Sequence, residues 1–293
     1  MDYFLYSGDI EPEYCFRFID LVETTQSSFD VTLVLSTYGG DANSAYKIGR
    51  RLQSRYKGVR IFVPGICKSA GTLLAIAANE LVFSPSGELG PLDVQMIKRD
   101  SVAGRESGSD TKETFDYLEF RAKNVFHELV DEIVHKSNGS VSFQTASRFA
   151  VEIASSLHGP IFARMNPEEI GKTARAMRIA ECYGIRLNWS SNNLQNAPYA
   201  LRFLTWECPC HDFVIDMTEA DLLFENVRQT NEVEENLVTQ YQEPESKIEI
   251  KNITDKFQKI ETEEGKNKRR NSEKSKATLT ASNEAGGNTS EKT

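Results

Sequence analysis

The apolar positions in the first hundred residues predict strands that alternate with helices. Residues 3–10 can form a short strand, and apolar residues at helical spacing from Glu11 onward predict a helix after it. Asp30–Ser36 is a nearly continuous β-branched run, which is typical of a strand buried on both faces of a mostly parallel sheet. Similar runs at 59–63 and 81–84 predict two further strands.

The segments between these strands carry a helical pattern. Asp41 or Asn43 can cap a helix that follows Gly39-Gly40, and residues 69–78 form a short helix that is apolar all round and therefore buried. Strands alternating with helices imply right-handed crossovers and a parallel sheet. Since ligands of such sheets bind at the carboxyl ends of the strands, we expect Gly39-Gly40 and Ser69 at a binding edge.

The middle of the chain predicts a helical arm. Residues 99–110 are polar and rich in Gly and Ser, which predicts a loop. Much later in the chain, Val214-Ile215 is expected to add a last short strand. The helices predicted from apolar spacing cover residues 112–136, 142–157, 167–183 (with Gly184 just past its end) and 197–204.

The C-terminal part has too few apolar residues to form a core. The chain has 293 residues, a formal charge of −9 and 39% hydrophobic residues, and large apolar side chains thin out after about residue 230. We therefore predict one folded domain at 1–228 and a polar, charged, disordered tail at 229–293. The acidic balance argues against nucleic-acid binding, and the basic run at 266–270 is expected to be solvated.

The cysteines and the N-terminus indicate a reducing compartment. The five cysteines are odd in number and irregularly spaced, and the N-terminus lacks the pattern of a signal peptide. No run approaches the ~18 apolar residues of a membrane span, so we expect a cytoplasmic protein without membrane association. The spacing of Cys208, Cys210 and His211 does not fit a zinc site, and we expect neither a metal nor another cofactor.

Two motifs carry candidate chemistry. Ser69, in Lys68-Ser69-Ala70-Gly71-Thr72, can be a nucleophile if a general base activates it, or it can simply cap the helix that follows. A Gly pair lets backbone N–H groups approach a ligand closely. An oxyanion hole in the Gly39-Gly40 turn would use the N–H groups of Gly40 and Ala70.

Four segments in this order resemble a known family. They are 31–40 with its Gly-Gly turn, 68–83 with the serine, Gly90-Pro91-Leu92-Asp93-Val94-Gln95, and His211-Asp212-Phe213-Val214-Ile215-Asp216. Together they resemble the serine dehydrogenase proteinase family of the Clp protease and crotonase superfamily, which is similar to signal peptide peptidase A. The resemblance covers about residues 7–227, is strongest at 31–95, and implies a spiral of βαβ units.

The resemblance implies a site with Ser69 as the nucleophile. It implies Gly39, Gly40 and Ala70 around the oxyanion, and a Ser–Asp–His set completed by Asp93 and His211. The other histidines, at 127, 135 and 158, remain alternatives for the base. Because signal peptide peptidases use Ser–Lys dyads, a lysine is the rival base, and the lysines that follow the nucleophile at a suitable distance are Lys98, Lys112 and Lys123.

The function expected from this resemblance is hydrolysis of peptides or unfolded protein through an acyl-enzyme. One alternative is a crotonase-like enzyme for acyl-CoA thioesters, for which Glu88 is available but no basic cluster for the CoA phosphates is evident. Another is an inactive scaffold of the same fold. Relatives assemble into rings, so we expect a homo-oligomer with residues 112–136 as the interface. An ATPase or other protein partner stays open.

Overall fold

A computed structural model describes residues 1–92, 95–97 and 105–259 of the chain. The strands are β1 (Asp2–Ser7), β2 (Asp30–Ser36), β3 (Gly58–Val63), β4 (Ile66–Cys67), β5 (Glu80–Phe83), β6 (Glu88–Leu89), β7 (Gln95–Ile97), β8 (Arg105–Ser107), β9 (Val227–Gln229) and β10 (Glu249–Asn252). The α-helices are α1 (Pro12–Thr25), α2 (Ala42–Arg55), α3 (Ala70–Ala75), α4 (Gly108–Lys136), α5 (Phe143–Phe162), α6 (Pro167–Ser191), α7 (Ala197–Arg202), α8 (Met217–Leu223) and α9 (Glu232–Val238). A π-helical turn, Phe203–Glu207, follows α7, and a 3₁₀ turn, Thr239–Tyr241, follows α9.

The predicted α/β class is confirmed by a central, mostly parallel sheet. Its strand order is β10-β1-β2-β3-β5-β9, and every pair is parallel except β1 with β10. β2 lies in the middle with the bounds predicted for it. Leu33 pairs with Phe4 on one side and with Ile61 on the other. The β-branched run at 30–36 thus forms a strand that is covered on both faces, as its lack of alternation indicated.

One face of the sheet is covered by the C-terminal segment, which corrects the predicted domain boundary at 228/229. Val238, Ile253 and Phe257 pack with the sheet residues Val34 and Phe62 in one buried cluster. β10 adds an antiparallel edge strand to β1. The few apolar residues between 230 and 257 are spaced so that they cover this face, and the folded unit therefore continues at least to 259. The remainder of the predicted disordered tail lies outside the described residues.

Helices α4 and α5 pack against each other as the predicted arm. Val130 of α4 and Ala146 and Ala150 of α5 are buried in their contact, with Phe126 and Ile133 partly buried beside them. The apolar stripe predicted at 112–136 is therefore covered largely within the chain.

Helix α6 continues two turns beyond its predicted end at Gly184. A Cβ at Gly184 would lie 2.5 Å from Leu201 Cδ2, so the glycine permits close packing of α7 against α6 and does not end the helix. The helix ends at Asn192, whose left-handed backbone (φ +48°) forms the C-cap.

Two smaller expectations also change. Val214-Ile215 does not form a strand, and Ile215 makes only an isolated antiparallel bridge to Leu89. The predicted loop at 99–110 lies partly outside the described residues, and its C-terminal end belongs to β8 and to the first turn of α4. In the part of the chain that the structure describes, no helix combines the length and the hydropathy needed to cross a membrane.

Candidate active site

Ser69 occupies a strained junction between β4 and α3. Its φ is +53° and its ψ is −112°, a conformation that residues with a Cβ rarely adopt. Although Ser69 stands at the N-cap position, its side chain makes no capping hydrogen bond to α3. A simple capping role therefore does not explain this serine, and strained backbone of this kind is concentrated at functional sites. A serine on a sharp strand-to-helix turn is also the arrangement of a nucleophile elbow.

The Gly39 backbone lies directly against Ser69. A Cβ at Gly39, where φ is +125°, would lie 2.8 Å from Ser69 Cβ and 3.2 Å from Ser69 Oγ. The Gly39 N–H donates to Thr37 Oγ1 at 3.0 Å, and its carbonyl accepts from the Ile10 N–H at 2.7 Å. Since that N–H is already bonded, Gly39 shapes the turn around the site and is not itself an oxyanion donor.

The N–H groups of Gly40 and Ala70 remain as candidate donors. Within the described ranges, neither N–H donates to another protein group, and both residues line the same cavity as Ser69. Gly40 is held by Ile10, because its flanking residues bond to the two sides of the Ile10 backbone. A Cβ at Gly40 would lie 2.3 Å from the Ile10 carbonyl oxygen, so only glycine fits this approach.

The loops that carry these groups are tied together by backbone hydrogen bonds. The Thr37 N–H donates to Ile66 O, and the Lys68 N–H donates to Thr37 O, each at 2.9 Å. Thr72 Oγ1 donates to the Gly90 carbonyl at 2.7 Å and so holds the 89–92 loop against α3. The Gly-Gly turn and the serine turn therefore form one continuous edge at the carboxyl ends of β2 and β4, as the sequence predicted.

An open cavity of about 450 Å³ lies in front of Ser69. The segment from Asp9 to Pro12, the residues 38–43, and Leu73 and Leu92 contribute to its lining. Helix α6 also contributes, through Ala176, Ile179 and Ala180. The lining is largely apolar.

His211 does not reach this cavity. Its loop lies beside Lys68, whose Nζ donates to the Asp212 carbonyl at 3.1 Å and pairs with Glu88 at 3.1 Å. None of the chain's four histidines, all at described positions, lines the cavity. Lys68 adjoins Ser69 in sequence, but its ammonium group is engaged with Glu88 and the 211 loop.

The other predicted bases fall in three groups. Lys123 is exposed on α4 and pairs with Glu119 one turn earlier, and it does not line the cavity. Asp93 and Lys98 lie outside the described residues. Lys112 belongs to the first turns of α4, where the structure gives the backbone but not the side chain.

Sequence reasoning missed the part of α6 that lines the cavity and the role of Asp41 there. Small residues at 176 and 180 leave space on one face of α6, a spacing that indicated only a packed helix. Of the two predicted caps, Asp41 and Asn43, it is Asp41 that caps α2, accepting from the Ser44 N–H at 2.8 Å, and it also lines the cavity. Burial disfavours its charged form, but hydrogen bonds from Ser44 and Asn43 outweigh burial and hold its pKa below the ordinary value. The carboxylate is therefore a fixed negative charge at the rim.

Two other candidate chemistries have little support at this site. Burial raises the pKa of the Cys67 thiol well above its ordinary value, so this cysteine next to the elbow is a packed residue and no second nucleophile. Among the residues that the structure describes, no three His, Cys, Asp or Glu side chains are grouped as metal ligands.

The family comparison agrees with this geometry. The model of the ClpP-like SDH-type serine proteinases matches residues 10–107, the stretch that contains the Gly-Gly turn, Ser69 and the 89–92 loop. The match covers about a third of the chain. The resemblance to this family, expected over about residues 7–227 and strongest at 31–95, is thereby confirmed for residues 10–107, and the βαβ units around Ser69 are ClpP-like.

Two curated relatives match short stretches of this chain. An uncharacterized protein of Methanocaldococcus jannaschii is 33% identical over 66 residues, which is 22% of this chain and 23% of that protein. A second uncharacterized protein of the same organism is 27% identical over 75 residues, 26% of each chain. The match thus spans about a quarter of the length of these curated relatives.

Solved structures with similarity include two of a membrane-bound stomatin-specific protease. The match to the first, an alanine mutant, has 22% identity and a TM-score of 0.29, and it covers 41% of this chain and 60% of that chain. The match to the second, an alanine mutant in complex with a substrate peptide, has 23% identity and a TM-score of 0.30, and it covers 41% of this chain and 57% of that chain.

Proposed function

We propose that the chain is a serine peptidase that cleaves peptides or unfolded protein, with Ser69 as its nucleophile. The observation that carries the proposal is the strained, non-capping Ser69, which lines the same cavity as Gly40 and Ala70. The family of residues 10–107 is one of serine proteinases, which supports the same reaction type.

The chemistry proposed for this arrangement is acyl transfer in two steps. Ser69 Oγ attacks the peptide carbonyl carbon while a base takes its proton, and the N–H groups of Gly40 and Ala70 receive the oxyanion. The C–N bond then breaks, the proton passes to the leaving amine, and water hydrolyses the acyl-enzyme. Two preorganised donors are a large part of such catalysis, since losing one typically costs about 10²–10³ in kcat.

We further propose that the base is supplied by the chain after Leu92 or by a second copy. Leu92 lines the cavity, and its backbone is fixed because its N–H donates to the Leu204 carbonyl at 2.7 Å. Asp93 follows directly, and Lys98 and Lys112 come next in the chain. The absence of every histidine from the cavity lining makes His211 the weaker candidate.

A fluorophosphonate probe tests the nucleophile. Wild type is expected to take up about one label per chain, and Ser69→Ala, which keeps the Cβ and thus the backbone preference, is expected to take up none. Ser54→Ala, at an exposed serine of α2, is the matched control and should label like wild type. Equal labelling of wild type and Ser69→Ala would reject a serine peptidase and leave the inactive scaffold as the better account.

The pH dependence of labelling tests the base. If Lys98 or Lys112 is the base, its change to Met abolishes labelling between about pH 6 and 9. In wild type the labelling rate should then rise with pH until the pH reaches the pKa of that lysine, which burial would lower. His211→Ala should leave that profile unchanged. Loss of labelling in His211→Ala with an unchanged fold would contradict this assignment.

A further inference from the structure

A second cavity adjoins the one in front of the candidate nucleophile. It has a volume of about 470 Å³, and Asp9, Glu11 and Tyr38 line both cavities. The remaining lining of the second cavity comes from Tyr14 of α1 and from the residues 244–248. Ligand sites in proteins commonly have volumes of about 300–1,000 Å³. The two cavities therefore meet at three shared residues, and each is large enough to hold part of a substrate.

Backbone contacts fix the shape of the second cavity. The Glu245 N–H donates to Ser7 Oγ at 3.0 Å, which ties the C-terminal segment to the end of β1. A Cβ at Gly8, where φ is +112°, would lie 2.9 Å from Ile248 Cα, so this close approach requires glycine. The cavity is thus formed where the segment 244–248 packs against the loop that leads to Asp9.

The linings of the two cavities carry mainly negative charge. Their acidic side chains are Asp9, Glu11, Asp41 and Glu245, and Lys247 is the only cation that the described part of the chain contributes to either lining. Glu11 and Glu245 are exposed, and within the described ranges neither carboxylate forms an ion pair. These two carboxylates are therefore available to a positively charged ligand.

Two tyrosines in the second cavity also favour a cation. Tyr14 and Tyr38 both contribute to its lining, and Tyr38 is 51% exposed. The ring of Tyr14 already holds the guanidinium group of Arg17 at 5.1 Å from its centroid, although Arg17 lines neither cavity. Aromatic faces attract Lys and Arg side chains. Tyrosine rings next to unpaired carboxylates are therefore suited to the head group of a basic side chain.

The second cavity is close enough to Ser69 to select substrate residues near the cleaved bond. Tyr38 is adjacent in sequence to Gly39, where a Cβ would lie 2.8 Å from Ser69 Cβ. An extended peptide advances about 3.3–3.6 Å per residue. A peptide whose carbonyl group meets Ser69 can therefore place a side chain from within about three residues in the second cavity.

We propose that the second cavity is a subsite for a basic side chain, so that the enzyme prefers peptides with Lys or Arg within about three residues of the cleaved bond. Glu11, Glu245 and Tyr38 are the residues assigned to this specificity. The proposal rests on the peptidase function proposed for Ser69, whose substrate class it narrows.

Fluorescence anisotropy of labelled peptides tests the subsite. The peptides are short polyalanine chains whose central residue is Arg, citrulline or Glu, and the protein is the full chain with Ser69→Ala, which leaves them uncleaved. Citrulline has nearly the shape of Arg but no charge. The Arg peptide should bind about 5- to 30-fold more tightly than the citrulline peptide, as expected for a cation–π contact combined with exposed ion pairs. The Glu peptide should bind most weakly.

Glu11→Gln and Glu245→Gln, each added to Ser69→Ala, remove one carboxylate and keep the shape of the side chain. Each should reduce the preference for Arg over citrulline about two- to fivefold, with unchanged helix content by circular dichroism. Glu13→Gln is the matched control, because Glu13 is exposed in the first turn of α1 but lines neither cavity. This control should leave the preference unchanged.

Protection of Ser69 in wild type connects the subsite to the active site. The Arg peptide should slow fluorophosphonate labelling more than the citrulline peptide does at the same concentration. A preference for Arg in a chain that takes up no label would reject the peptidase but not the basic subsite.

Three results would overturn the subsite. The Arg and citrulline peptides could bind equally, or neither could bind at about 1 mM. Glu13→Gln could weaken binding of the Arg peptide as much as Glu245→Gln does. Finally, bound Arg peptide could leave the labelling rate of Ser69 unchanged, which would place it away from the active site.

Discussion

Gly39→Ala tests whether the Gly-Gly turn positions Ser69. The new Cβ would lie 2.8 Å from Ser69 Cβ, where an ordinary van der Waals contact is 3.4 Å or more, so one residue must move by about 0.6 Å. The left-handed φ of +125° adds a strain of about 1–2 kcal/mol, and crowding adds about 1–3 kcal/mol. We expect a loss of about 2–5 kcal/mol in unfolding free energy. Since a 1 Å misplacement costs about 10²-fold, labelling of Ser69 should also slow about tenfold or more.

Gly139→Ala separates strain from contact. Gly139 also has a positive φ, +78°, but a Cβ there would meet no atom within 4 Å. This variant should lose only about 1–2 kcal/mol, from strain, and should label at the wild-type rate. Urea unfolding curves give the stabilities, and the fluorophosphonate rate reports the position of Ser69. If Gly39→Ala is no less stable than Gly139→Ala and labels equally fast, Gly39 does not position the serine.

Three further predictions concern stability, each measured by urea unfolding. Phe257 packs on the sheet and is 2% exposed, so Phe257→Ala should lower the unfolding free energy by about 3–5 kcal/mol. For the same reason, a chain that ends at 228 should not fold, whereas one that ends at 259 should. Burial raises the pKa of Asp2, but hydrogen bonds from neighbouring groups outweigh it and lower the pKa. The stabilisation that Asp2 contributes is therefore full above the unfolded pKa of about 3.9 and is lost as the pH falls through the lower folded pKa. Asp2→Asn should therefore flatten the pH dependence of the unfolding free energy between about pH 5 and 3. Lys68→Met leaves the half-buried Glu88 without its partner and should cost about 1–3 kcal/mol, whereas Lys123→Met, at an exposed pair, should cost less than about 0.5 kcal/mol. Equal effects of the two lysine variants would contradict the structural role of Lys68.

The sequence predicted the elements whose pattern is local. The run at 30–36 identified β2 with its correct bounds, because a central strand is apolar on both faces and needs no partner to be recognised. Ser69 and Gly40 were singled out as candidates for a similar reason, since each lies where a strand ends and a helix begins. The edge on which they meet follows from the parallel topology.

What the sequence did not predict depends on distant contacts. From the sequence alone, Gly184 looks like the residue that follows a helix end. Only its close contact with Leu201 explains why a glycine lies inside α6. Phe257 lies in a polar stretch, and its burial depends on a sheet face formed more than 190 residues earlier by Phe62. The base cannot be chosen from spacing either, because several lysines and histidines lie at suitable distances in the chain, and those whose side chains the structure describes do not line the cavity.

The pairing of β10 with β1 has a consequence for how the chain is made. Phe4 pairs with Asn252, so the outer edge of β1 has no neighbouring strand until the segment around residue 252 has been synthesised. An unpaired strand rim is a template for joining other chains, and contacts between such distant positions form slowly. The newly synthesised protein should therefore be most prone to aggregation just before residues 249–252 emerge.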